Sequence, residues 1–380
     1  MVARMAKYNT LLSHRALNIV HTESSCGWGG QEIRILEESR GLIERGHHVT
    51  IVCPVEATIY TRAHDWCVKT VGLPINDKRW ANFKAMRRWL LTNRIEVDVV
   101  NTHSSTDSWL VALANLSFGK SRIPVVRTRH ISAPVANTFA NRWLYGKAAQ
   151  HIVTTGESLR HELIDGLSLS PDRVQSIFTG INTKRYVPGD KVAARERLGL
   201  EMNCTWIGIV ATLRSWKGHK FLLDALKELN DPQIRLAIVG DGPQREKLQQ
   251  RVIEHGLVKQ VLFAGNQRDV VPWLQALDIF VLPSFANEGV SQAVMQAMSV
   301  GLPVITTPIG SSGDVIKPGM TGLMVTPKSA KALAQSIRKL IDEPREAARL
   351  GEAARNFAVD NCGIDRMLSR MEAVFQRAAG

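Results

Sequence analysis

The stretch Ile279–Thr307, IFVLPSFANEGVSQAVMQAMSVGLPVITT, decides the fold. Ile279–Leu282 and Val304–Thr306 are short apolar runs, nearly continuous rather than alternating, and Ser291–Val300 between them has helical spacing. Continuous runs of this kind are what strands buried on both faces require. Strand, helix and strand in so short a span predict one unit of a parallel sheet. Working outward, the unit recurs. Strands are predicted at Leu17–His21, Val49–Cys53, Val97–Asn101, Val125–Arg127, Ile152–Thr154 and Val174–Phe178, and again at Trp206–Ala211, Leu236–Val239, Val261–Phe263 and Leu323–Val325. Helices are predicted over Gln31–Arg45, Gly218–Leu229 and Gln244–His255. After Thr326 the pattern is purely helical, through Ala330–Ile341, Arg345–Asp360 and Asp365–Ala378.

This alternation predicts an α/β protein with two Rossmann-like, doubly wound domains facing a cleft. The break falls within Thr183–Leu200, where YVPGDK precedes a short charged helix. The expected division is residues 1–185 with a returning helix at 362–380, and residues 186–361.

Composition bounds the partners. The chain has 380 residues, 44% hydrophobic and 22% charged, which excludes a disordered chain and leaves room for two cores. Forty-eight Lys+Arg against 35 Asp+Glu leave +13, split +8 over residues 1–190 and +5 over the remainder. That excess favours an anionic partner: nucleic acid, a phosphorylated small molecule or an acidic membrane surface. Five scattered cysteines (Cys26, Cys53, Cys67, Cys204, Cys362) without a CxxC pair argue for free thiols in a reducing cytosol. The first fifteen residues hold no apolar signal core, and no run approaches the ~20 residues that span a bilayer. A cytoplasmic protein, at most peripheral to the inner face of the membrane, is expected.

Open α/β sheets take ligands at the carboxyl ends of their strands, so functional residues are sought just after them. The first strand runs into TESSCGWGGQE, where Gly29 and Gly30 let bare backbone approach an anion at a helix start. The spacing is not GxGxxG, so a dinucleotide fingerprint is absent. In ATLRSWKGHK, Arg214 and Lys217 offer a cationic pair for a diphosphate. Gly240 and Gly242 form a second glycine turn in VGDGPQREKL. Glu288, Gly289 and Ser291 open the helix of the quoted stretch, with Gln296 two turns in on a similar face. A carboxylate and an amide there suit sugar or ribose hydroxyls, and the helix N-terminus suits phosphate. His130 follows the strand Val125–Arg127, in a position equally open to a structural role. No Asp-x-Asp pair occurs, so a carboxylate clamp for a divalent metal is not expected.

The glycine loop, KGHKFLLDA, VGDGPQREKL, VLFAGNQRDVVPWLQALDIFVLPS, NEGVSQAVMQAMSVGLPVITT and IFTGINTKRYVP together resemble glycosyltransferase family 4, retaining enzymes of the GT-B fold. The resemblance covers nearly the whole chain, with its motifs in order. It implies a nucleotide-sugar donor, a glycan or lipid-linked acceptor and no further cofactor. A UDP-sugar is expected in preference to GDP- or ADP-sugars, and envelope glycan or lipopolysaccharide synthesis as the setting. By the resemblance, Gly29 and Gly30 approach the donor's distal phosphate, Arg214 and Lys217 neutralise the diphosphate, Glu288 holds donor-sugar hydroxyls, Gln296 takes the ribose place, and His130 lies near the reaction centre. Two positions depart from the family pattern: Gln296 stands where a second glutamate is usual, and Thr212 where an arginine is usual. They motivate one alternative, a non-catalytic relative that binds nucleotide sugar. A nucleic-acid-binding protein is the other, disfavoured because the basic residues are dispersed and no known module is present. The segment DKRWANFKAMRRWLLTNR, residues 77–94, interleaves basic residues with Trp80, Phe83 and Trp89 and reads either as a helix docking on anionic lipid or as a half-buried surface helix.

Overall fold

The computed structural model describes residues 15–130, 133–286 and 288–380. The reading of the first fifteen residues therefore falls, Arg15 apart, outside the described residues. Two all-parallel sheets form. The first has seven strands in the order β3-β2-β1-β4-β5-β6-β7: β1 (Asn18–Thr22), β2 (His48–Cys53), β3 (Lys69–Gly72), β4 (Val99–Thr102), β5 (Val125–Arg129), β6 (His151–Thr154) and β7 (Val174–Ser176). The second has six in the order β10-β9-β8-β11-β12-β13: β8 (Thr205–Val210), β9 (Ile234–Val239), β10 (Val261–Gly265), β11 (Ile279–Leu282), β12 (Val304–Thr306) and β13 (Leu323–Met324). In each sheet the order reverses once, between β1 and β4 and between β8 and β11. A ligand crevice opens at such a switch point.

β3 is the strand that the apolar-run reading does not contain. Its sequence is KTVG, it lies at the sheet edge, and none of its residues is buried, so no hydrophobic run marks it. The central strands are the opposite case. β11 is buried throughout because helices cover both faces of its sheet.

The chain crosses back at its end. Helix Ile364–Ala379 inserts Met367, Leu368, Met371, Val374 and Phe375 among Leu17, Ile19, Leu42, Val99, Val126 and Val153 of the first domain. Each such side chain contributes about 1.5–3 kcal/mol of burial before entropy is counted, so this helix is part of the first core. Two glycines permit the approach. A Cβ on Gly41 would lie 2.3 Å from Leu368 Cδ1, and one on Gly180 would lie 2.6 Å from Ile364 Cα. At the crossing Ile181 N–H donates to Cys362 O (2.8 Å) and Ile364 N–H donates to Ile181 O (3.0 Å). These crossings support the division that we propose, 1–185 with 362–380 against 186–361. No helix among the described residues is long and apolar enough to cross a membrane.

Candidate active site

At the β8/β11 switch point the chain after β8 makes a tight turn, Ser215–Lys217, and the chain after β11 supplies Ser284 and Glu288. Lys217 Nζ lies 2.5 Å from Glu288 Oε1, and Ser284 Oγ donates to the same oxygen at 2.6 Å. Both charged side chains are largely buried, Lys217 at 18% and Glu288 at 7% exposure. Without another anion, the lysine is neutralised by the glutamate. The turn depends on Gly218 (φ +80°), whose Cβ would strike Pro283 O at 2.0 Å. Beneath Glu288, Gly310 (φ +59°) leaves the space that a Cβ would take 1.9 Å from Glu288 O.

Arg214 does not join this pair. It is exposed, with its guanidinium 5.7 Å from the Trp216 ring centroid. Gly240 and Gly242 lie in the turn after β9. Cβ atoms there would lie 2.1 Å from Ala211 O and 2.9 Å from Leu213 N, so close packing between the loops after β8 and β9 accounts for both glycines. Ser291 is the N-cap of helix Gln292–Val300 but its side chain caps nothing, which leaves first-turn N–H groups for a ligand. Gln296 is half-buried and makes no side-chain hydrogen bond among the described residues.

The first domain closes against this mouth. A Cβ on Gly289 would lie 2.5 Å from His130 O and 2.8 Å from Thr155 Oγ1. Gln292 Nε2 donates to Gly30 O at 3.3 Å, bringing the glycine loop of Gly29 and Gly30 to the start of the second-domain helix. Asp314 accepts from Glu157 N–H (2.5 Å), Ser158 N–H (3.4 Å) and Ser158 Oγ (3.2 Å), so a second-domain carboxylate caps the first-domain helix Glu157–Leu167. The structure thus brings Lys217, Glu288, Gly289, His130, Gly30 and the helix of Ser291 and Gln296 to one cleft.

The first-domain wall is densely polar. Glu23, just after β1, accepts from Ser25 N–H (2.7 Å) and Ser104 Oγ (2.5 Å) and is also bonded by Gln31 Nε2. Burial, reinforced by neighbouring Asp107, pushes its carboxyl up to about 8. Asp107 is itself pushed up to about 6, chiefly by burial, while accepting from Thr22 Oγ1 (2.6 Å) and the N–H groups of His103 and Ser104. His130 Nε2 lies 2.9 Å from His103 Nδ1, and His103 Nε2 lies 2.9 Å from His21 Nδ1. Sequence reasoning selected His130 and missed His103, although His103 follows β4 as His130 follows β5. Glu23 carried the same strand-end signal.

With the geometry in place, the comparisons define the class. Residues 28–185 match Glycosyltransferase Family 4, and residues 190–357 match Glycosyl transferases group 1. This is a glycosyltransferase of the two-domain GT-B type. The chain belongs to the family 4 and group 1 glycosyltransferases that those two matches describe. Over 298 residues it is 28% identical to a D-inositol 3-phosphate glycosyltransferase of Corynebacterium efficiens, covering 70% of this chain and 68% of that protein. Over 199 residues it is 31% identical to the lipopolysaccharide core biosynthesis mannosyltransferase LpsB of Rhizobium meliloti, covering 48% of this chain and 56% of the relative. A glycosyltransferase from Rickettsia africae superposes with a TM-score of 0.86 at 20% identity, over 96% of this chain and 99% of that one. HepE of Anabaena, solved in complex with UDP-glucose, superposes with a TM-score of 0.82 at 20% identity, over 95% and 100% of the two chains.

Proposed function

We propose that the enzyme is a retaining, metal-independent transferase that moves a sugar from a nucleotide-sugar, a UDP-sugar before GDP- or ADP-sugars, to a glycan or lipid-linked saccharide. Lipopolysaccharide or other envelope glycan synthesis is the setting we favour, on the likeness to LpsB. The observation that carries the reading is the buried Lys217–Glu288 pair at the switch point, with Gly289 against His130 on the opposite wall.

In this reading the donor's diphosphate displaces the glutamate as partner of Lys217, and the freed Glu288 accepts hydrogen bonds from sugar hydroxyls. The N-terminus of helix Gln292–Val300, with Gly289 and Ser291, receives phosphate oxygens, and Gln296 hydrogen-bonds the ribose. Arg214 reaches the diphosphate by leaving Trp216. These groups stabilise charge as it develops on the leaving diphosphate, where preorganised donors act most strongly. The acceptor oxygen bonds to the anomeric carbon as the bond to the phosphate oxygen breaks on the same face. That departing oxygen takes the acceptor's proton. Incubation with a panel of UDP-, GDP- and ADP-sugars, reading sugar transfer and nucleotide release, tests the reading. Release of none of the nucleotides, with or without glycan acceptors, would refute it and favour the non-catalytic alternative.

A peripheral membrane site for the acceptor is favoured by helix Trp80–Asn93. Its inner face buries Asn82, Met86 and Leu90, whereas Trp80, Lys84, Arg88 and Leu91 are exposed at helical spacing along its outer face. Trp80 is 66% exposed, with Lys84 Nζ 5.5 Å from its ring centroid. A cationic, tryptophan-bearing face of this kind suits an anionic lipid surface on the cytoplasmic side.

A further inference from the structure

We infer that His103, backed by His21 and Asn101, is a positioning residue that fixes which ring nitrogen of His130 faces the cleft as a bare hydrogen-bond acceptor. The inference rests on the proposed function, in which His130 stands on the wall opposite Lys217 and Glu288, and deepens it by assigning the ring a sugar hydroxyl.

The three imidazoles form one chain of hydrogen bonds from the interior to the cleft. His21 Nδ1 and His103 Nε2 are 2.9 Å apart, as are His103 Nδ1 and His130 Nε2. His21 is fully buried and His103 nearly so. Burial holds all three rings neutral. His21 is pulled down to about 3, and His103 and His130 lie well below the usual histidine range. The charges of Arg34 and Arg127 add to this for His103, and those of Arg34, Arg127 and Arg129 for His130. Each neutral ring has one N–H and one lone pair, so the chain has only two internally consistent polarities.

The inner end selects between them. Thr128 Oγ1 donates to Asn101 Oδ1 at 2.9 Å, which turns the Asn101 amide N–H toward His21 Nδ1 at 3.4 Å. In that orientation the amide N–H and the closer His103 Nε2–H share the single lone pair of His21 Nδ1, so the His21 proton is on Nε2. That N–H faces the carboxylate Oε1 of Glu38 at 3.9 Å, and neither atom has a hydrogen-bond partner among the described residues. Glu38 Oε2 is tied to Arg34 Nε at 3.5 Å. With His21 Nδ1 an acceptor, His103 donates from Nε2 and accepts at Nδ1. His130 then donates from Nε2, leaving Nδ1 bare. No described residue hydrogen-bonds that nitrogen, so it is free to accept from a sugar hydroxyl. The opposite polarity would put a donor there, and the hydroxyl could then only accept, leaving its own proton for another partner.

The full-length protein, labelled with 15N at histidine, reports the ring protons directly through long-range nitrogen–proton correlations. His130→Gln identifies the resonances. The expected wild-type spectrum has His130 protonated on Nε2 alone. Asn101→Asp substitutes an acceptor of equal size for the amide donor, and should reverse the chain and move the His130 proton to Nδ1. His103→Gln, which keeps one donor and one acceptor in line, should retain the Nε2 tautomer. His103→Leu should give a mixture. In transfer assays His103→Leu should lower kcat/KM about tenfold, the worth of roughly one hydrogen bond, and His103→Gln should stay within about twofold. A wild-type His130 protonated on Nδ1, or a His130 tautomer unchanged in both Asn101→Asp and His103→Leu, would overturn the assignment. Should Asn101→Asp fail to fold, the His103 pair decides alone. Absence of any sugar transfer by the wild type would defeat the proposed function, and the tautomer spectra would still decide this inference.

Discussion

The two switch points solve the same topological problem with opposite chemistry. The first-domain mouth, between β1 and β4, is bonded mainly from within: Glu23, Asp107, Ser104 and the three histidines find partners in one another, with His21 Nε2 at the inner end and His130 Nδ1 at the cleft left over among the described residues. The second-domain mouth, between β8 and β11, is satisfied provisionally. Lys217 and Glu288 neutralise each other, Ser291 caps nothing, Gln296 is unbonded among the described residues, and Arg214 rests on Trp216. A rigid polar wall suits an orienting role, because its groups do not reorganise when substrate arrives. A wall that a diphosphate can rearrange suits capture of the donor.

The largest expected effect lies on the second wall. Lys217→Ala should lower kcat by about 10²–10³-fold in a transfer assay, the usual range for removing one preorganised charge-stabilising group. Near-wild-type turnover would place the diphosphate elsewhere and dissolve the contrast. Next comes Glu23 on the first wall. Its carboxyl takes up a proton near pH 8 when folded and near 4.5 otherwise, so the stability it lends is fully present below pH 4.5 and is lost as pH rises through about 8. Glu23→Gln should remove that loss. Relative to wild type, thermal unfolding should show the variant gaining on the order of a few kcal/mol between pH 5 and 9. An unchanged pH profile would show that the first wall is not held in its neutral form.

A smaller effect is expected where the walls are joined. Asp314→Ala removes a carboxylate cap from helix Glu157–Leu167 and should cost about 1 kcal/mol in thermal unfolding. A larger radius of gyration in solution scattering should accompany it if the cap also holds the domains together. Smallest is the outer surface. Lys84→Ala and Arg88→Ala should each weaken binding to anionic vesicles roughly fivefold, at about 1 kcal/mol per basic residue, with wild-type binding lost at high salt. No vesicle binding at low salt would remove the membrane site.

Most of this architecture was legible in the sequence, for a physical reason. Strands buried on both faces need continuous apolar runs, so β11 and β12 could be read to the residue, while the exposed edge strand β3 left no run to read. The candidate site was legible where it follows a strand within one motif, as with Lys217, Glu288 and His130. It was illegible where it depends on distant segments meeting. The His21–His103 contact and the Asp314 cap join residues separated by 82 and 157 positions, and no local spacing records either. Arg214 shows the converse: a motif placed it at the mouth, but its side chain, stacked near Trp216, stays in solvent.

In the proposed function Lys217 exchanges Glu288 for the donor's diphosphate. Calorimetric titration of UDP into wild type, Lys217→Ala and Glu288→Gln tests it most directly. Lys217→Ala should bind at least about tenfold more weakly, the worth of one charged hydrogen bond. Glu288→Gln, which removes the competing carboxylate, should bind UDP more tightly than wild type although its sugar transfer falls. Equal UDP affinity in all three proteins, or weaker binding by Glu288→Gln, would contradict the account.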